Sequence, residues 1–266
     1  MKTTIYNIVL AALMVLSGLN VFAYNFEVDG IEYATITSNS VKVMGVSQIN
    51  EYDIIIPSIV VNEEKEYVVT TISSKFWVQS NEESHLITLH IPGSVELIEM
   101  AQQGVYGGYT FFYGINLGYV GNYEVAPDNK YYSSQDGVLY SKDFTVLYRY
   151  PLANRNIFLN IINGVEEIFD RAVEDVEALQ SVTIPNSVKR INKSAFANCE
   201  NLKNVVMSES VQIIHTDAFE DCPITSDIIL PASLTYIGDD AFGWNGGEDY
   251  KGAVVKCYAV SRPNLL

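Results

Sequence analysis

The feature that most constrains this chain is a period of 23 residues. Segments beginning at Leu159, Val182, Val205 and Ile228 are spaced by that step. Two positions on, the same register holds Ile161, Ile184, Met207 and Leu230, with Pro185 and Pro231 following in two of the segments. Next come Val165, Val188, Val211 and Leu234, then Ile168, Ile191, Ile214 and Ile237. A small residue recurs at Ala172, Ala195, Ala218 and Ala241, followed by Val173, Phe196, Phe219 or Phe242. Cys199 and Cys222 share one further position. Self-similarity at a fixed period of this length is the signature of a repeat architecture.

The spacing dictates the physics. Residues at i and i+2, such as Val182 and Ile184, face one side of a strand. Proline then ends the strand or confines it to a boundary. The Val-x-x-Ile step and the Ala-Phe pair bring apolar residues back to the same core, and the run from Asn192 to Asn201 reads as helical or 3-10. One such unit cannot bury its apolar side alone. Stacked copies can, each touching only its neighbours, with parallel strands about 4.8 Å apart.

The stretch Leu179-Gln-Ser-Val-Thr-Ile-Pro-Asn-Ser-Val-Lys-Arg-Ile, followed by Ala195-Phe196-Ala-Asn-Cys199-Glu-Asn-Leu202, resembles the BspA-type leucine-rich repeats of bacterial surface proteins. The resemblance is clean over residues 157–242 and looser before them. It implies a leucine-rich repeat solenoid: β-rich, with parallel strands on a concave face and short helical or 3-10 turns on the other side. It also implies adhesion as the expected role.

The N-terminal half keeps this logic in fragments. Leu86, Leu89, Ile91-Pro92, Ser94-Val95 and Ile98 reproduce the strand half of one repeat, and its helical half falls at Phe111-Phe112 and Leu117, beyond a Gly/Gln/Tyr-rich stretch from Gln102 to Tyr109. Ile56-Pro57, Ile72 and Phe76-Trp77 suggest another repeat, interrupted by a hairpin over Val61–Tyr67. Phe26–Tyr33 with Thr35-Ile36 alternates apolar and polar residues and reads as a β cap. Val138-Leu-Tyr140 and Val146-Leu-Tyr148, with the turn signal Asp136-Gly137, read as a β-hairpin insert, and similar inserts occur in BspA-type proteins. Val254–Val260 looks like a strand. The expected organisation is a signal peptide at 1–23, a β cap with the first strand and hairpin at 24–70, irregular repeats at 71–122, the insert at 123–150, and regular repeats at 151–266 with an incomplete C-terminal cap.

The signal peptide rests on Lys2, the apolar run Ile5–Val15, and small residues at the −3 and −1 positions of Val21-Phe22-Ala23. The run is short for a membrane span, and Ser17, Gly18 and Asn20 break it. Cleavage would start the mature chain at Tyr24, without a lipoprotein cysteine. The expectation is export to the periplasm, the cell surface or the medium, with no membrane insertion afterwards. The formal net charge is −16, and losing Lys2 makes it −17. Such a surface repels phosphate backbones and anionic lipid, so neither nucleic acid nor membrane is an expected partner.

The chemistry-bearing residues are sparse. The histidines are His85, His90 and His215, and none sits in a nucleophile elbow, a His-Glu-x-x-His pair or a phosphate loop. His90, between Leu89 and Ile91, should face outward. Asp239-Asp240 and Glu248-Asp249 read as solvated turns, and the cysteines lack metal-ligand spacing. No catalytic residue, metal or cofactor is expected. Cys199 and Cys222 should stack about 5 Å apart, within disulfide reach, at a core position filled elsewhere by Val176 and Asn245. A buried thiol ladder is the simpler reading, with a disulfide the alternative.

The candidate binding residues are the outward strand positions Thr88, His90, Asn160, Ser181, Thr183, Asn204, Val206, Asp227 and Ile229. They would form one concave strip, with Val206 and Ile229 as exposed apolar members. A Tyr-rich set, Tyr106, Tyr109, Tyr113, Tyr119 and Tyr123, is either a second interface or packing for the insert. The leading expectation is a secreted or surface scaffold binding a protein, host-matrix or glycan ligand. The alternatives are a carbohydrate-related exported enzyme or accessory protein, and a structural spacer.

Overall fold

The computed structural model describes residues 25–47, 53–78, 87–99, 101–106, 109–114, 120–243 and 255–257. The signal peptide, Leu86, Leu117 and most of the C-terminal segment lie outside these residues. Two compact units are present.

One unit comprises residues 1–50, 57–81 and 94–116. Its described sheet runs in the order Phe26–Val28, Ile31–Thr35, Ser40–Val46, Lys65–Val78, Ile59–Asn62, and Leu97–Ile98 also pairs with Lys65–Val78. Two-residue turns with both φ positive, Asp29-Gly30 and Glu63-Glu64, close its two hairpins. Those conformations match the right-handed twist of the flanking strands. The long central strand is antiparallel to Ile59–Asn62 and parallel to Ser40–Val46. Tyr33, Val41, Val43, Val69, Ile72 and Phe76 form its core. The Glu99 carboxylate accepts the Ser74 backbone N–H at 3.1 Å and the Ser73 and Ser74 hydroxyls at 3.4 Å.

Where a helical segment is expected near Phe111-Phe112, the chain instead forms an antiparallel pair, Ala101–Tyr106 with Tyr109–Gly114. The aromatic and β-branched composition of Tyr109–Tyr113 favours a strand, and that preference overrides the delayed-repeat reading.

The other unit holds residues 51–56, 82–93 and 117–266. The first ladder of strands consists of three separate sheets, each wholly parallel. Asp53–Ile55, Ile87–Ile91 and Val120–Val125 pair in one, with Ile87–Ile91 in the middle. Phe158–Asn160, Ser181–Thr183 and Asn204–Val206 pair likewise, with Leu159, Val182 and Val205 in register. Ile228–Leu230 pairs with Val255–Cys257.

A second parallel ladder links Glu167–Ile168, Arg190–Ile191, Ile213–Ile214 and Tyr236–Ile237, with the four isoleucines in register. The insert forms three strands rather than two. Tyr132–Gln135, Val138–Ser141 and Val146–Arg149 make an antiparallel meander, whose last strand runs parallel to Glu167–Ile168. The insert is therefore the opening rung of the second ladder.

Among the described residues there is no helix, so the helical or 3-10 reading of Asn192–Asn201 is corrected. The segment is a run of turns, and the reason is where its amides go. Arg171, Val173 and Asp175 donate to the carbonyls of Lys193, Ala195 and Ala197 on the next rung, at 3.0, 2.7 and 3.0 Å. Ser194, Phe196 and Asn198 do the same to Thr216, Ala218 and Glu220, and Asp217, Phe219 and Asp221 to Asp239, Ala241 and Gly243. The outer donors of each trio have positive φ, between 53° and 62°. That conformation costs roughly 1–2 kcal/mol per L-residue and cannot propagate a helix; Asp and Asn accept it best. Bonds between rungs thus replace bonds along a helix.

The core between the ladders stacks each side chain on its own copy. The rings of Phe196 and Phe219 lie 4.9 Å apart and nearly parallel, as do those of Phe219 and Phe242 at 5.1 Å. Ala172, Ala195 and Ala218 are fully buried beside them. Gly238 marks a close approach: a Cβ there would lie 2.2 Å from the Thr216 backbone nitrogen.

Candidate interaction surface

The alternation of each strand sorts its residues. In the first ladder Ile54, Leu89, Tyr123, Leu159, Val182 and Val205 are buried, and the residues on either side of them face out. Asn160, Thr183, Asn204, Val206, Asp227 and Ile229 are exposed, while Thr88, His90 and Ser181 are half-buried. Pairing places Phe158, Ser181 and Asn204 in one column, and Asn160, Thr183 and Val206 in a second. Asn204 Nδ2 donates to Ser181 Oγ at 3.0 Å. Two exposed apolar residues on this face escaped the sequence reading, Ile55 and Phe158, at 66% and 63% exposure. Their signal was available, because each precedes or follows an inward strand residue by one.

His90 lies at the middle strand of the N-terminal trio. Its Nε2 is 3.5 Å from Asp53 Oδ1 and its Nδ1 is 3.2 Å from Glu124 Oε2. Asn122 Nδ2 holds the other Glu124 oxygen at 3.2 Å. Asn122 is in turn covered by Gly137, whose φ is +78° and where a Cβ would sit 2.6 Å from Asn122 Oδ1 and displace that side chain. The two carboxylates flank opposite ring nitrogens and do not converge on one point. Among the described residues no group of three or more His, Cys, Asp or Glu is placed to hold a metal.

The remaining candidates are scattered. His215 packs on Tyr236 in the second ladder, ring centres 5.4 Å apart and planes tilted by 58°. His85 and the Glu248-Asp249 pair lie outside the described residues. Tyr123 is buried, and burial pushes its hydroxyl well above the ordinary tyrosine value, so it packs the core rather than an interface. Tyr119 lies outside the described residues, and Tyr106, Tyr109 and Tyr113 fall in the strands of the antiparallel pair. Glu174 is a carboxyl pushed upward by burial, and it is engaged by Arg171.

Cys199 and Cys222 are buried, with no disulfide between them. Their thiols donate to the carbonyls of Val173 at 3.1 Å and Phe196 at 2.9 Å, two acceptors that themselves repeat on adjacent rungs. The neighbouring Cys222 thiol and burial push the Cys199 thiol well up, away from the reactive thiolate.

The second ladder has an outward face the sequence reading missed. Arg190 Nη2 pairs with Glu167 at 3.3 Å, and Asn192 Nδ2 donates to the same carboxylate at 2.7 Å. Tyr148 packs edge-on against both Phe169 and Tyr132, at 5.2 and 5.6 Å.

Residues 154–246 match the model of the BspA type leucine rich repeat region, in six copies. No curated protein matches the chain. Among solved structures the chain is similar to the pneumococcal vaccine antigen PcpA at 15% identity, over 80% of this chain and 77% of that one, with a TM-score of 0.48. It is similar to a leucine rich cell surface protein of Faecalibacterium prausnitzii at 16% identity, over 84% and 87%, with a TM-score of 0.47. A leucine-rich repeat protein of Bacteroides ovatus is similar at 18% identity, over 81% and 61%, with a TM-score of 0.46.

Proposed function

Because residues 154–246 are a BspA-type leucine-rich repeat region, we propose that the chain is an exported, surface-associated scaffold that binds a protein partner through the outward face of its first ladder. The observation that carries this reading is the state of that face. Phe158, Val206 and Ile229 are 63, 49 and 51% exposed at outward strand positions among small polar neighbours. Apolar side chains left open on an otherwise well-packed repeat are what a partner covers. Coiling of the rungs into a solenoid would make the face concave, and export through the N-terminal segment would place it where adhesion operates.

The test is capture from the native environment with the chain from Tyr24 onward, beside the double variant Val206→Asp/Ile229→Asp. Wild type should retain a saturable protein partner, and the variant should lose it by about tenfold or more while melting at the same temperature. Equal retention by the variant would remove the first-ladder face from the reading. No saturable partner for wild type would sink the scaffold itself.

A further inference from the structure

We propose that the unpaired edge of Phe158–Asn160 takes an extended polypeptide segment as an added strand, so that the partner is held there through its backbone. The inference rests on the scaffold reading and specifies how the partner is gripped. The two ladders differ at this rung. On the second, Val146–Arg149 pairs with Glu167–Ile168, and the ladder runs on without a break. On the first, Phe158–Asn160 ends its sheet, and Val120–Val125 ends the one before it. The edge of Val120–Val125 is taken up by the insert and the chain that follows it. Tyr123 N–H donates to the Gly137 carbonyl at 3.0 Å, and Ala153 N–H to the Val120 carbonyl at 3.2 Å. Among the described residues no such bond reaches Phe158 or Asn160 from that side.

The alternation of hydrogen bonds identifies the open groups. In a parallel pair, alternate residues of a strand bond to the same neighbour. Ser181 N–H donates to the Ile157 carbonyl at 3.0 Å, and Ile161 N–H to the Thr183 carbonyl at 3.4 Å. Ile157, Leu159 and Ile161 therefore serve the pairing with Ser181–Thr183. Phe158 and Asn160 turn their N–H and C=O groups to the open side, at the spacing an added strand needs.

The side chains beside this edge favour an apolar segment. The next two rungs carry Gln180 and Lys203 at the place of Ile157, and Ser181 and Asn204 at the place of Phe158. The edge rung is apolar at both places, and Ile157 and Phe158 are 39 and 63% exposed. A strand laid along the edge covers them. Arg155, exposed just ahead of them, makes no ion pair among the described residues. Its charge is complemented by an acidic residue at one end of the segment. Strand addition draws affinity from main-chain hydrogen bonds and selectivity from alternate side chains. A glycan cannot supply the alternating N–H and C=O groups.

The experiment titrates the chain from Tyr24 onward, by calorimetry, with two capped hexapeptides. Asp-Val-Thr-Val-Thr-Val tests parallel addition, and its reverse, Val-Thr-Val-Thr-Val-Asp, tests antiparallel addition. One of them should bind saturably. Methylating its valine amides or its threonine amides blocks one edge of the peptide at a time. One methylated form should lose at least tenfold in affinity, and the other should keep it. Ile157→Gln/Phe158→Ser, which gives the edge rung the residues of the next, should weaken binding about tenfold. Asn160→Pro removes an edge N–H and should abolish it. Arg155→Gln should weaken it about threefold, as expected for one exposed ion pair. Val206→Asp/Ile229→Asp, two and three rungs away, should leave it unchanged.

The proposal is overturned if neither peptide binds, or if both methylated forms behave alike, since that is side-chain contact alone. It is also overturned if Ile157→Gln/Phe158→Ser or Asn160→Pro binds as wild type does. Unchanged binding by Arg155→Gln would overturn the acidic end of the segment. Native capture without peptide binding would strike the edge and leave the scaffold. Peptide binding without native capture would strike the scaffold and leave the edge.

Discussion

The two ladders of the repeat unit are built from the same rungs, at the same period, and their outward faces differ. On the second ladder most outward side chains engage one another: Glu167 holds Arg190 and Asn192, Tyr148 packs on Phe169 and Tyr132, and His215 packs on Tyr236, while Tyr236 and Ile237 on the last rung stay 47 and 44% exposed. On the first ladder Phe158, Val206 and Ile229 stand open, and the contacts among outward side chains are the Asn204–Ser181 hydrogen bond and, on the N-terminal strands, the pairs of His90 with Asp53 and Glu124. The lesson is that a repeat supplies two surfaces and engages one of them more fully than the other. Side-chain pairs across strands contribute roughly 0.2–1 kcal/mol each to the fold, whereas a less engaged face is available to a partner.

The comparison breaks most severely through what the faces share. Phe219 is fully buried between two stacked rings. Phe219→Ala should cost about 3–5 kcal/mol in denaturant unfolding and unsettle both ladders together. A loss below about 1 kcal/mol would mean that the stack is incidental to the core. Glu167→Ala acts on the second ladder alone. It should cost at most about 1 kcal/mol, because Arg190 is half exposed and such pairs are weak. It should leave partner capture unchanged, and impaired capture would assign a binding role to the more fully engaged face.

Much of this was legible in the sequence, and the parts that were not share a cause. Spacing alone identifies the inward residues Leu159, Val182 and Val205, and Ile168, Ile191 and Ile214, because burial repeats along the stacked rungs; Ile237, at the last described rung of its ladder, keeps the register but is 44% exposed. The turn segments were misread because a local pattern cannot reveal that the amides of Val173, Phe196 and Phe219 bond to the next rung, 22 residues away in sequence. The alternation of its strand puts His90, half-buried, beside inward Leu89 and Ile91, but its partners were invisible. Asp53 and Glu124 lie on strands whose separation from it departs from the 23-residue step, so no phase connects them. The second-ladder face was missed for a different reason. Glu167, Phe169, Asn192 and His215 flank the isoleucine column by one residue, and that signal was present once the column was read as a strand.

Hydrogen–deuterium exchange of the chain with and without its captured partner tests the central claim most directly, because it reads both ladders at once. The account predicts added protection over Phe158–Asn160, Ser181–Thr183 and Asn204–Val206, with Glu167–Ile168, Arg190–Ile191 and Ile213–Ile214 unchanged. Protection confined to the second set would contradict it.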